Sequence, residues 1–179
     1  MNNIELIANG VSLVVAIISA YTDARYRKIF NKVTYPGFIV GILYHTLVSL
    51  YLQKGIAGFL FSLYGFLLGF GFFFIFYWIS QGKKMGAGDV KLYAAVGACI
   101  GLHSTMYSLV VTAVVGLLLS VILLFPVFYQ IIKTGQISLL LDFRHYPIPY
   151  GTVIGISVVI WFIIRMIVSS KGLVLPFYV

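Results

Sequence analysis

The chain has 179 residues, 61% of them apolar, and only 9% carry a formal charge, against roughly 25% in an ordinary soluble domain. That excludes a water-soluble globule, whose surface needs about a quarter to a third of its positions charged, so most of this chain's solvent must be lipid. The net charge of +8 also occurs in nucleic-acid binders, but in so apolar a chain it points to membrane topology, and no nucleic-acid partner is expected.

Six apolar runs follow one another: 4–21, 33–52, 56–80, 88–102, 104–132 and 148–168. At roughly 20 residues per span, six spans would use about 120 residues. The expectation is therefore an all-α polytopic membrane protein of about six transmembrane helices, forming a single transmembrane domain over residues 1–179. The first run is not expected to be a cleaved signal: the leading Met-Asn-Asn-Ile-Glu lacks a basic n-region, and Arg25, Arg27, Lys28 and Lys32 follow the run. Residues 92–132 are almost unbroken apolar sequence, roughly 60 Å as one helix and about twice a bilayer core, so they should fold back on themselves. The polar break at residues 101–105, Gly-Leu-His-Ser-Thr, is the expected turn.

With the N-terminus outside, the connections at 22–32, 81–91 and 133–147 face the cytoplasm. They hold nine of the twelve basic residues: Arg25, Arg27, Lys28, Lys32, Lys83, Lys84, Lys91, Lys133 and Arg144. The excess of cytoplasmic Lys and Arg favours this orientation over its inverse and places the chain in a cell membrane as a multi-pass protein. Three GxxxG spacings, Gly65 with Gly69, Gly97 with Gly101, and Gly151 with Gly155, are read as sites of close helix approach in lipid. The thirteen tyrosines and fifteen phenylalanines are read as bundle filler and interface anchors.

Four acids remain: Glu5, Asp23, Asp89 and Asp142. Asp23 leaves the first run and Asp89 enters the fourth, both at the end assigned to the cytoplasm. Carboxylates at the edge of a membrane span are expensive to desolvate and by default mark function. Asp89 closes the tetrapeptide Gly86-Ala87-Gly88-Asp89. Gly86 and Gly88 lack a Cβ, so the backbone there can approach a substrate peptide closely and present the carboxyl at an exposed helix start. In that position, N-terminal N–H groups and the helix dipole favour negative charge.

Two facing carboxyls are minimal equipment for peptide hydrolysis without a metal. Repulsion and burial split their titration, so that one can activate water while the other, protonated, polarises the carbonyl. Two other readings use the same acids. In one, Asp23 pairs with Arg25, Arg27 or Lys28, and Asp89 caps a helix beside Lys91. In the other, Asp23 and Asp89 are relay acids of a small proton- or ion-coupled transporter; no acid lies in mid-span, where transporters place their sites. HExxH and GxSxG are absent, His45, His103 and His145 are scattered, and Cys99 is alone. Neither a metal nor an organic cofactor is expected.

These residues resemble a family. Asp23 followed by Ile29 and Asn31 in Asp-Ala-Arg-Tyr-Arg-Lys-Ile-Phe-Asn, together with Gly-Ala-Gly-Asp-Val-Lys-Leu at 86–92, resembles the prepilin peptidases, GxGD membrane aspartic proteases. His-Tyr-Pro-Ile-Pro-Tyr-Gly at 145–151 is similar to the proline-containing start of that family's last helix. The resemblance implies a six-span endopeptidase that removes the basic leader of type IV prepilin-like or pseudopilin-like membrane proteins at the cytoplasmic face, with Asp23 and Asp89 catalytic. Where the family commonly has Pro before the Asn, this chain has Phe30, so a different turn is expected there. It lacks the cytoplasmic insert with paired CxxC motifs and so resembles the short, peptidase-only type found with tight-adherence or Flp pili. Lys91 is a candidate for orienting substrate, with a helix-end topology charge as the alternative. Asp142 is a candidate contact for the basic leader, against a solvated loop charge.

Overall fold

The structure, a computed structural model, describes residues 3–82, 85–134 and 150–171. It is all-helical over those residues. The helices are α1 (Asn3–Tyr26), α2 (Asn31–Tyr51), α3 (Ala57–Ile79), α4 (Ala87–Thr134) and α5 (Tyr150–Ser170). All five are long and apolar enough to cross a bilayer, and the chain is a multi-pass membrane protein.

The fourth and fifth expected spans form one helical element, α4, broken at Gly101 (φ 75°, ψ 174°). This corner of backbone space is open essentially to glycine alone. The chain reverses there: the Tyr93 hydroxyl donates to Ser108 Oγ at 2.9 Å and lies 3.2 Å from Thr112 Oγ1. In a straight helix those residues would stand more than about 20 Å apart along the axis. The turn therefore falls where the polar break at 101–105 puts it. Divided at this break, the described residues hold six helical segments, of which the limb 87–100, about 20 Å long, is short of a core roughly 30 Å thick.

That short limb is the centre of the molecule. Val90, Leu92, Tyr93, Val96, Ala98, Cys99 and Ile100 are all buried, the mark of a helix covered on every side, and all four other helices pack on α4. Glycine makes the close approach feasible. A methyl group added at Gly65 would strike Gly97 O and come within 2.8 Å of Gly101 Cα; one at Gly69 would lie 2.6 Å from Tyr93 O; one at Gly41 would lie 2.8 Å from Cys99 Sγ. Small residues thus bring α2 and α3 into backbone contact with α4. Phe73 stacks on Tyr93 at 4.6 Å between ring centroids.

A helix break inside lipid leaves carbonyls without their usual donors, and each needs another. Cys99 O accepts a hydrogen bond from His45 Nε2 at 2.8 Å, and Gly101 O accepts one from Thr105 Oγ1 at 2.6 Å. His45 is thus a cap for the short limb, supplied by α2. His45→Phe would keep a ring against Phe61, now 4.8 Å away, but orphan the carbonyl. It should lower stability by about 1–3 kcal/mol, read as an earlier thermal transition in detergent, and His45→Gln should recover part of the loss.

The first and last helices pack together. Added methyls at Gly155 would strike Ala20 Cβ and come within 2.9 Å of Ala16 O. At one end of this pair the buried Arg165 donates to Asn9 Oδ1 at 2.8 Å. The other end carries the two aspartates.

Candidate active site

Four chain segments meet at that end: the last turn of α1, the link into α2, the start of α4 and the start of α5. Asp23 and Asp89 are both buried there, 8% and 6% exposed, and close enough that the charge on Asp23 acts directly on Asp89. Their separation in sequence is closed by the bundle, as expected of acids on two spans.

Each carboxyl sits at the start of a helix. Asp89 lies in the first turn of α4, where its Oδ2 accepts the Gly86 N–H at 3.1 Å while the Asp89 N–H bonds back to Gly86 O at 3.1 Å. This is half of a capping box, with Gly86 in the cap position and Asp89 three residues in. Asp23 receives its donors from another helix: Thr152 N–H, in the first turn of α5, reaches Asp23 Oδ2 at 3.1 Å, and Thr152 Oγ1 lies 3.4 Å from the same oxygen. The first N–H groups of a helix have no internal acceptor, so the positive ends of α4 and α5 both point at the acids.

Ile29 fills the space between the two helix starts. A methyl added at Gly88 would lie 3.0 Å from Ile29 Cβ; one at Gly151 would lie 2.7 Å from Ile29 Cδ1 and 3.0 Å from Asp23 Cβ and Cγ. Gly88 and Gly151 therefore set how near α4 and α5 come to the acids. Gly151 packs as its GxxxG spacing suggests, but against the carboxyl-bearing residue itself.

Lys91 and Asn31, both singled out in the sequence, come together: Lys91 Nζ donates to Asn31 Oδ1 at 3.2 Å and lies 5.5 Å from the centre of the Tyr35 ring. They join the starts of α2 and α4 beside the acids. Phe30, where the related pattern has proline, caps α2 at φ −83° and ψ 129°. These angles lie close to the range open to a proline. Asp142 lies outside the described residues, as do Lys83, Lys84 and Arg144. Thr152 was not indicated by sequence; its signal is only that a short polar residue stands in the first turn of the last apolar run.

A polytopic apolar bundle with a buried, helix-capped pair of carboxyls at one end defines a class, that of membrane proteins with a two-acid site at the edge of the bilayer. The particular assignment comes from the sequence as a whole. Residues 10–121, well over half of the chain, match the type IV leader peptidase family, and the protein belongs to that family. It is a protease. The match takes in both Asp23 and Asp89 but ends before Thr152. No curated protein and no solved structure matches the chain.

Proposed function

We propose that the protein is an aspartic endopeptidase that cleaves the leader from type IV prepilin-like or pseudopilin-like membrane proteins, with Asp23 and Asp89 as its catalytic pair. The observation that carries this is the burial of two mutually interacting carboxyls at a junction of helix starts in a member of a leader peptidase family. One carboxylate takes a proton from water as the water oxygen attacks the scissile carbonyl. The other, protonated, donates to the carbonyl oxygen, and as the C–N bond breaks a proton passes to the leaving amine. Either acid can fill either role, and the two exchange them over the reaction.

The site faces the cytoplasm. Among the described residues Arg25, Arg27, Lys28, Lys32, Lys91 and Lys133 flank the helix ends on the side of the acids, and Lys54 and Lys171 lie at the other, which fits the excess of basic residues on the cytoplasmic side. The substrate is then a membrane-inserted precursor whose leader emerges at the same face.

The test is co-expression with a pilin-like precursor, reading the precursor's mass. Wild type should remove the leader, and neither Asp23→Asn nor Asp89→Asn should. Leader removal that survives both substitutions would sink the assignment. Acid-dependent proton uptake into vesicles without any cleavage would favour a transporter instead.

Gly151 gives a second, finer prediction. Gly151→Ala forces a methyl onto Ile29 and Asp23 and should displace the carboxyl by a few tenths of an ångström or more. Misplacement on that scale should slow cleavage by about ten- to a hundredfold, measured as initial rate, with the protein still inserted and folded.

A further inference from the structure

A cavity of about 680 Å³ lies between α3 and α5, floored by the second limb of α4. The two walls do not pack extensively on each other, which is why the gap exists. Its walls include Phe72 and Phe76 from α3 and Val153 from α5, and its floor includes Thr112, Ala113 and Gly116.

Two further features give it direction. Met85 and Tyr150 also line it, and each is the residue immediately before a glycine of the site, Gly86 and Gly151. This end of the groove therefore adjoins the helix starts that hold Asp89 and Asp23. The floor is also built of small residues: a methyl added at Gly116 would meet only Val153 Cγ1, at 3.5 Å. A small-residue floor between apolar walls suits the approach of another helix in lipid.

We propose that this groove receives the apolar transmembrane helix of the substrate, holding it so that the scissile bond just beyond its end reaches the acids. The proposal rests on the peptidase reading and adds where the substrate docks. The occupant is a helix continuous with the cleaved bond, because one end of the groove is lined by Met85 and Tyr150, the residues that lead into Gly86 and Gly151 of the site. A Gly116 side chain would then act as a plug, and residues of the α3 wall would touch the substrate before any cleavage.

The experiment uses the full-length protein in membranes with a pilin-like precursor carrying its leader and apolar helix. In an Asp89→Asn background, which should leave the precursor uncut, a photoreactive benzoylphenylalanine replaces Phe76 or, as control, the exposed Leu47 on α2. Adducts with the precursor are expected from position 76 and at least tenfold fewer from position 47. In the otherwise native enzyme, Gly116→Trp should lower both leader removal and, in the position 76 variant, adduct yield at least tenfold, whereas Leu47→Trp should change neither. Gel filtration and thermal unfolding report whether Gly116→Trp is folded; if it is not, the adduct comparison decides alone. Equal adducts from both positions, or adducts at position 76 with lipid or a second copy of the enzyme only, overturn the proposal while leader removal by wild type leaves the peptidase reading intact. Failure of wild type to cleave any such precursor removes both.

Discussion

Replacing either Asp23 or Asp89 by Asn is expected to lower leader removal by more than about a thousandfold while leaving the bundle folded. The size follows from what general acid–base catalysis contributes, about a hundred- to ten-thousandfold for each proton transfer. Folding should survive because Asn is nearly isosteric and its Oδ1 can still accept the hydrogen bonds that the carboxylates now receive, from Thr152 N–H at Asp23 and from Gly86 N–H at Asp89. Alanine behaves differently. Asp23→Ala or Asp89→Ala would leave a buried N–H unpaired, at about 1–3 kcal/mol, and so mixes a structural loss with a chemical one. Comparing the Asn and Ala variants by cleavage rate and by thermal unfolding separates the two. If Asp89 were only a cap, Asp89→Asn would keep most of the activity.

Gly101→Ala should be among the most damaging single changes to the fold. At φ 75° and ψ 174° any side chain is strained, by about 1–3 kcal/mol. The added methyl would also overlap the Phe61 ring. Together these should remove at least about 3 kcal/mol of stability, seen as a large drop in the thermal midpoint in detergent or as failure to accumulate in the membrane. The double variant Gly101→Ala/Phe61→Ala tells the causes apart: it should relieve the overlap and leave the backbone strain. Full recovery in the double variant would mean that the torsion is not the constraint.

Much of this architecture was legible in the sequence because lipid imposes simple rules. Long apolar runs mark helices, and the polar break after Ile100 marks the reversal at Gly101. Charge scarcity left few acids to consider, and the two that were chosen meet. That the limb 87–100 is covered on every side was not legible, because an apolar run reads alike against lipid and against protein. Thr152 escaped for another reason: its main donor to Asp23 is a backbone N–H, which every residue but proline has. Gly151 was read correctly as a packing glycine, but which atoms it packs against depends on how α1 and α5 are paired. The same holds for His45, whose partner is a carbonyl on another helix, and for the meeting of Lys91 with Asn31.

The pairing of α1 with α5 has a consequence for how the protein is made. Of the five described helices, Asp23 belongs to the first to leave the ribosome and its partner Thr152 to the last, so 129 residues separate the two ends of that hydrogen bond. Asp89 is in place well before Thr152 has been synthesised. The carboxyl pair therefore acquires its final geometry only when α5 has entered the membrane and closed against α1. Until then a partly inserted chain carries both acids without the donor that orients one of them, so the arrangement of the pair waits on the insertion of α5.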